Sequence, residues 1–197
     1  SNLFFEKCVK ESINLESIDV YYSENITAVA DAHYLPYQDK IFDLVIIQAV
    51  LEHVINPQKV ISEIYRVLAK NGLVYSETPF LQSVHEGPYD FTRFTFSGHR
   101  YLFKNFKEIN SGVIHGAFSS TLFVTSYSLA ALFKNNKIGI ILRAIFNRPA
   151  KFLDSLIDNK WNSDIACGCY FIGEKKNKEN IEYGASWIAE YYKGAQK

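Results

Sequence analysis

Methionine is missing altogether from this chain of 197 residues, cysteine is scarce, and neither sign of charge is in excess. The missing methionine includes an initiator, and the opening Ser-Asn resembles a tag remnant, so the sequence is expected to begin downstream of its natural start. SNLFFEKC has neither a basic start leading into an apolar core nor a small-residue cleavage site, and does not read as a secretory signal. Lys plus Arg and Asp plus Glu each total 21, so no global field draws the protein to nucleic acid or to an anionic membrane. A basic stripe and a known nucleic-acid module are also lacking, and a small, roughly neutral ligand fits better. Cys8, Cys167 and Cys169 include a CGC pair, which has the spacing of neither a zinc knuckle nor a redox dithiol. They read as reduced core residues of a cytoplasmic protein, and no metal is expected. Gly116 to Phe133 lacks charge, but Ser119, Ser120, Thr121, Thr125, Ser126, Tyr127 and Ser128 make it too polar for a membrane span.

What is present is a chain with 48% hydrophobic residues, enough for one domain with a sizeable core and an appendage. The first hundred residues alternate β-rich runs with helical patterns, the signature of parallel strands joined by crossover helices. SINLESIDVYY predicts a strand ending near Asp19, and NITAVADA a second, bounded by the turn-like HYLPYQD. Phe42 to Ile47 is almost continuously apolar, as in a central strand covered on both faces. Asn56-Pro57 marks a helix start, with Val60, Ile61, Ile64, Val67 and Leu68 inward and Glu63, Arg66 and Lys70 outward. Asn71-Gly72 reads as its left-handed cap, and LVYSETPF as the next strand. KNNKIGIILRAIFNRPAKFLDSLIDNK is basic and amphipathic, and reads as a cap packed on the domain in preference to membrane-surface contact. IACGCYFIGEK predicts a last strand, KKNKEN a linker and IEYGASWIAEYYKGAQK a short terminal helix. One α/β domain over residues 1–175 is therefore expected, with a helical insertion at 113–162, then a linker and helix over 176–197.

Ligands of an open α/β sheet sit beyond the carboxyl ends of its strands, where Asp19, Asp31 and Gln48 fall. A carboxylate after the second strand can accept both ribose hydroxyls of an adenosine, and Asp19 is placed for it. Asp31, one strand later, is placed to accept the adenine amine, with the Ala32 N–H donating to a ring nitrogen. Each Asp has an alternative role as a turn residue bonding its own backbone.

The run DAHYLPYQDKIFDLVIIQAVLEHVINPQKVISEIYRVLAKNGLVYSETPF resembles the middle of a class I, small-molecule methyltransferase. The resemblance rests on Asp31-Ala32, Leu35-Pro36, Phe42-Asp43-x-Val45, Leu51-Glu52-His53-Val54, Arg66-Val67-Leu68 and Asn71-Gly72, and covers roughly residues 15 to 110. It implies a Rossmann-like, mostly parallel twisted sheet with helices on both faces, an antiparallel last strand and a helical insertion before it. The implied donor is S-adenosylmethionine, with Asp19 on its ribose, Asp31 and Ala32 on its adenine, and Gln48 and Ala49 beside its methionine portion. His53 would face the reaction centre or help wall the donor pocket. In that family a glycine-rich turn precedes the ribose ligand by about 20 residues, which here falls before residue 1.

VHEGPYDFTRFTFSGHRYLF gathers His85, Glu86, Asp90, Arg93 and Thr95 among aromatics, the convergence of polar groups in an apolar wall that a site needs. A similar HxxPxDxxRFT stretch occurs in a subset of these methyltransferases, some found with polysaccharide and glycoconjugate genes. Methyl transfer is a direct displacement, so a base is useful only where the acceptor must lose a proton. His85 or His53 is the candidate base, with Asp90 orienting it. Arg93 either clamps an anionic or hydroxyl-rich acceptor or pairs structurally with Asp90. His99 and His115 read as structural. The expected activity is methyl transfer to an oxygen or nitrogen of a small polar acceptor. The alternative is a non-catalytic, methyltransferase-like interaction module. A nicotinamide-linked dehydrogenase shares the acid after the second strand, but LEHV and LPYQDKIFDLV argue against it.

Overall fold

Asn56 and Pro57 start a helix as their types dictate: the Asn56 side chain accepts the Lys59 N–H at 3.0 Å, and Pro57 takes the first position of α1 (Pro57–Val67). The computed structural model describes residues 14–24, 26–176 and 185–196; Cys8 and the linker at 177–180 lie outside them. Upstream of α1, β1 (Ile18–Asp19) and β2 (Ala28–Val29) pair in parallel. A separate sheet of four is formed by β3 (Phe42–Gln48), β4 (Leu68–Pro79), β5 (Phe106–His115) and β6 (Gly168–Lys175), in the order β3-β4-β6-β5. β3 and β4 are parallel, and β6 lies antiparallel between β4 and β5. All strands of this sheet except the last thus share one direction, the arrangement that the sequence implies.

α1 ends at Val67, ahead of Asn71-Gly72, because Leu68 already pairs with Phe42 and begins β4. Asn71 does take left-handed backbone, φ 62°, but inside an irregular stretch of β4 where the register shifts between Phe42 and Leu44. Gly72 fits closely there, since a Cβ would lie 3.1 Å from the carbonyl oxygens of both Ala69 and Phe42. Two residues expected to face solvent do not. Glu63 is buried and accepts from Arg66 Nη2 at 2.8 Å and from the Leu35 N–H at 3.0 Å. Arg66 also donates to the carbonyls of Leu35 (3.0 Å) and Tyr37 (2.8 Å) and to Asp39 (2.8 Å), which straps the β2–β3 connection onto α1. The Arg66 guanidinium accordingly holds the Glu63 carboxyl below its usual range.

The core lies on one face of the larger sheet, where Ile47, Val74 and Phe171 meet Val60, Ile61 and Ile64 of α1 together with Phe103 and Phe106. Phe103 and Phe171 stack with centroids 4.7 Å apart. Burying each such side chain contributes about 1.5–3 kcal/mol. The two-residue period of β3 sends Leu44 and Ile46 to the other face, where they are exposed. The apolar run at 42–47 is thus an edge strand covered on one face among the described residues, not the doubly covered central strand its composition suggests.

His99, in α2 (Phe96–Leu102), is fully buried in this core; its Nε2 lies 2.9 Å from Ser76 Oγ, and burial pushes its pKa down to about 3. The unfolded chain titrates this group near 6.5. The neutral imidazole is therefore what the fold accommodates: its contribution is complete above about pH 6.5 and is lost as pH falls toward the folded value. Urea midpoints should drop between about pH 7 and about pH 5, and His99→Gln should flatten that drop. An unchanged slope in His99→Gln would assign the loss to other groups.

The helical insertion comprises α3 (Ala117–Leu132), α4 (Asn136–Ser155) and α5 (Asn159–Asp164). α3 has no capping side chain of its own. Asp154, at the end of α4, supplies one: its carboxylate accepts from the N–H groups of Gly116 (3.0 Å) and Phe118 (2.7 Å) and from Ser119 Oγ (2.5 Å). Asp154→Ala strands buried donors and should lower stability by about 2–3 kcal/mol, read from denaturant midpoints, with Asp154→Asn losing less. Ile140, Ile141, Ile145 and Phe146 of α4 are exposed. Among the described residues no helix is long and apolar enough to cross a membrane. The terminal helix α6 (Ala185–Glu190) docks on α2, where Arg100 donates to the Tyr191 carbonyl at 2.9 Å and lies 5.1 Å over the Trp187 ring.

Candidate active site

Asp19 closes β1, and Asp31 follows β2 by two residues. Each takes the same local bond, Oδ1 accepting the N–H two residues on: Tyr21 at 3.0 Å and His33 at 2.8 Å. The turn role is thus real for both, yet it uses one oxygen and leaves Oδ2 outside those bonds. The two turns sit side by side, because the Ala30 N–H donates to the Asp19 carbonyl at 3.0 Å. Asp31 also meets His33 Nδ1 at 2.6 Å, and these bonds to His33 hold its carboxyl below the usual range. The other ring nitrogen of His33 accepts the Asn56 N–H at 3.2 Å, which ties the end of β2 to the start of α1. Ala32 is half-buried against the core.

At the end of β3 the Gln48 side chain donates to Glu77 of β4, which also accepts from the Tyr75 hydroxyl. Burial, with Glu77 beside it, pushes the Tyr75 phenol up to about 12. Ala49 turns the chain sharply at φ 53°, a left-handed conformation, with its N–H on the Glu77 carbonyl at 3.2 Å. Gln48 and Ala49 are both exposed.

Just beyond this turn the four residues expected to act on the acceptor come together. His53 ends the short helical turn Leu51–His53, and its ring packs edge-on against His85 with centroids 4.9 Å apart. The loop that carries His85 is fastened to that turn through backbone: Phe91 and Thr92 N–H groups donate to the Glu52 carbonyl at 2.8 and 3.2 Å, and His53 Nδ1 lies 2.9 Å from the Tyr89 carbonyl. Asp90 accepts the His85 N–H at 2.9 Å and forms a two-point pair with Arg93, which draws its carboxyl down to about 2. Arg93 further donates to the carbonyls of Thr92 (3.0 Å) and Ser83 (3.3 Å). Both terminal nitrogens of the guanidinium thus bond within its own loop, as a structural pair would, while its Nε has no hydrogen-bond partner among the described residues. Thr95 is a helix cap, accepting the Gly98 N–H at 3.1 Å.

Sequence reasoning passed over Glu52. It is wholly buried, and neither carboxylate oxygen has a hydrogen-bond partner among the described residues. Its Oε1 lies 3.7 Å from His53 Nε2 and 3.6 Å from His85 Nε2. Burial pushes its carboxyl up, against the pull of its own backbone N–H and of His53, His85 and Arg93. Charged residues beside a strand end ordinarily face water, and the only hint to the contrary was its place in Leu51-Glu52-His53-Val54. A cleft of about 280 Å³ lined by Phe96, Ser111, Asn159, Tyr170 and Lys193 shares no residue with this cluster.

Residues 7–76 match the family model described as a methyltransferase domain. No curated protein matches the sequence. Among solved structures, the MccD protein is similar at 18% identity over 87% of this chain and 84% of its own, with a TM-score of 0.55. A protein from Bacillus halodurans C-125 described as a methyltransferase is similar at 14% identity over 87% of this chain and 86% of its own, with a TM-score of 0.52. The chain spans 60% of the length of the [4+2]-cyclase SpnF, matching it over 87% of its own at 14% identity and a TM-score of 0.43. The family match spans about a third of the chain, and these structures share its Rossmann-like α/β fold.

Proposed function

We propose that the protein moves a methyl group from S-adenosylmethionine to an oxygen or nitrogen of a small polar acceptor, with sugars and glycoconjugate units the leading class. The observation that carries this reading is the imidazole pair of His53 and His85, 4.9 Å apart over the buried Glu52 carboxylate and next to the strand ends. When bound, the donor supplies an electrophilic methyl group and a thioether leaving group. The residues at the strand ends fit it: Oδ2 of Asp19 suits the ribose hydroxyls, Asp31 and the Ala32 N–H the adenine edge, and the Gln48-Ala49 turn the methionine portion.

Transfer is one displacement, in which a lone pair on the acceptor bonds to the methyl carbon as the carbon–sulfur bond breaks. Alignment and proton removal are then the tasks left to the chain. His85 is assigned as base, since its side chain is 39% exposed and its Nε2 can meet an acceptor. His53 backs it from the inner side. Asp90 and Arg93 are positioning residues that fix the loop beneath His85. Free buried thiols at Cys167 and Cys169 suit a cytoplasmic setting.

The test is transfer of a labelled methyl group from S-adenosylmethionine to a panel of free, nucleotide-linked and lipid-linked sugars. Label in an acceptor, with matching S-adenosylhomocysteine, is the expected result. The interaction-module alternative draws support from the exposed apolar side chains of α4, and it predicts no transfer to any acceptor.

A further inference from the structure

We infer that Glu52, His53 and His85 form a binding site for a divalent first-row metal ion of the zinc class. One ligand atom from each residue lies within 4.8 Å of the other two. Donors bound to one ion at ~2.0–2.1 Å with tetrahedral angles stand ~3.4 Å apart. The Glu52 Oε1 contacts of 3.7 Å to His53 Nε2 and 3.6 Å to His85 Nε2 are close to that spacing without being hydrogen bonds. The two histidine donor atoms lie within 4.8 Å of each other.

Three features separate this cluster from a chance gathering. Glu52 is wholly buried with both oxygens unpartnered, although a buried carboxylate ordinarily finds donors. An ion at Oε1 would satisfy it. Both histidines turn Nε2 toward that oxygen, and His53 has Nδ1 2.9 Å from the Tyr89 carbonyl behind it, whereas His85 Nδ1 lies 3.5 Å from Arg93 Nη2 and 3.7 Å from Asp90 Oδ2. His53 is thus held as metal-binding histidines are, the distal ring nitrogen donating to a carbonyl that sets the tautomer. The site also has an entrance, because His85 is 39% exposed and His53 20%. Two imidazoles and one carboxylate leave coordination positions open, which is the composition of a site that also takes a ligand.

This deepens the function proposed above and rests on it for what the site is used for. An ion on His85 Nε2 would exclude that atom from proton transfer, so the base role proposed above belongs to the metal-free site. It departs from the sequence expectation of no metal, because the sequence separates Glu52 and His53 from His85 by a helix and a strand.

The test titrates Co²⁺ alone into untagged, metal-free, full-length protein under reducing conditions, follows the visible ligand-field band, and competes with Zn²⁺. One saturable equivalent displaced by Zn²⁺ is expected, with binding at least about 10-fold weaker in His85→Ala and in Glu52→Gln. Melting temperature and S-adenosylmethionine binding, measured on the same samples, establish that each variant is folded. His85→Ala decides the matter if Glu52→Gln fails to fold, since His85 lies on a partly exposed loop. No saturable binding, or binding undiminished in His53→Ala/His85→Ala, would overturn the inference. Retained S-adenosylmethionine binding in that event leaves the methyltransferase reading intact, whereas cobalt binding without donor binding would sink that reading and keep the metal site.

Discussion

His85→Ala is expected to slow methyl transfer by about 10²–10⁴-fold while leaving affinity for S-adenosylmethionine unchanged. The separation follows from position. His85 stands over Glu52 on a loop fastened to the turn after β3, whereas the proposed donor ligands lie at the ends of β1, β2 and β3. Removing a group that accepts the acceptor's proton affects the chemical step and not ground-state binding of the donor. His53→Ala should cost less, because the His53 side chain is the less exposed of the two. The measurement is single-turnover transfer beside donor titration. Equal losses in rate and donor affinity would instead place His85 in the donor pocket.

Asp19→Ala is the second large effect: S-adenosylmethionine affinity should fall about 10–100-fold, matching the ~1.5–3 kcal/mol of a hydrogen bond to a charged acceptor. Asp19 also bonds the Tyr21 N–H at 3.0 Å, so alanine removes a turn as well as a ligand. Asp19→Asn separates the two roles, since an amide oxygen keeps the turn and gives up the charge. If donor affinity falls in Asp19→Asn nearly as far as in Asp19→Ala, the carboxylate is the ligand. Full affinity in Asp19→Asn with loss only in Asp19→Ala would reduce Asp19 to a turn residue.

The elements legible in the sequence are those whose causes are local. Asn56 and Pro57 announce α1 through capping chemistry that needs no partner, and the apolar runs at Phe42 and Leu73 announce strands. The loop around His85, Asp90 and Arg93 stood out by composition, and the fold brings His85 to His53 with Asp90 and Arg93 bonded beside it. Features set by distant contacts were not legible. Glu63 and Arg66 fall on the polar side of the helical pattern, and only the β2–β3 connection folding back over them makes them an internal knot. Asp154 looks like one acid among many on a basic helix until α3 is placed against it. Glu52 is hidden for the same reason, because its burial depends on a loop arriving from more than thirty residues away. Conversely, β3 reads as doubly covered because composition reports apolarity and not which neighbours are present.

Calorimetric titration of S-adenosylmethionine into the full-length protein tests the central claim most directly. One-site, saturable binding that weakens in Asp19→Asn and persists in His85→Ala is the predicted result. Absence of binding in a folded full-length protein would contradict the account, and would turn the strand-end carboxylates into turn residues and the chain into an interaction module.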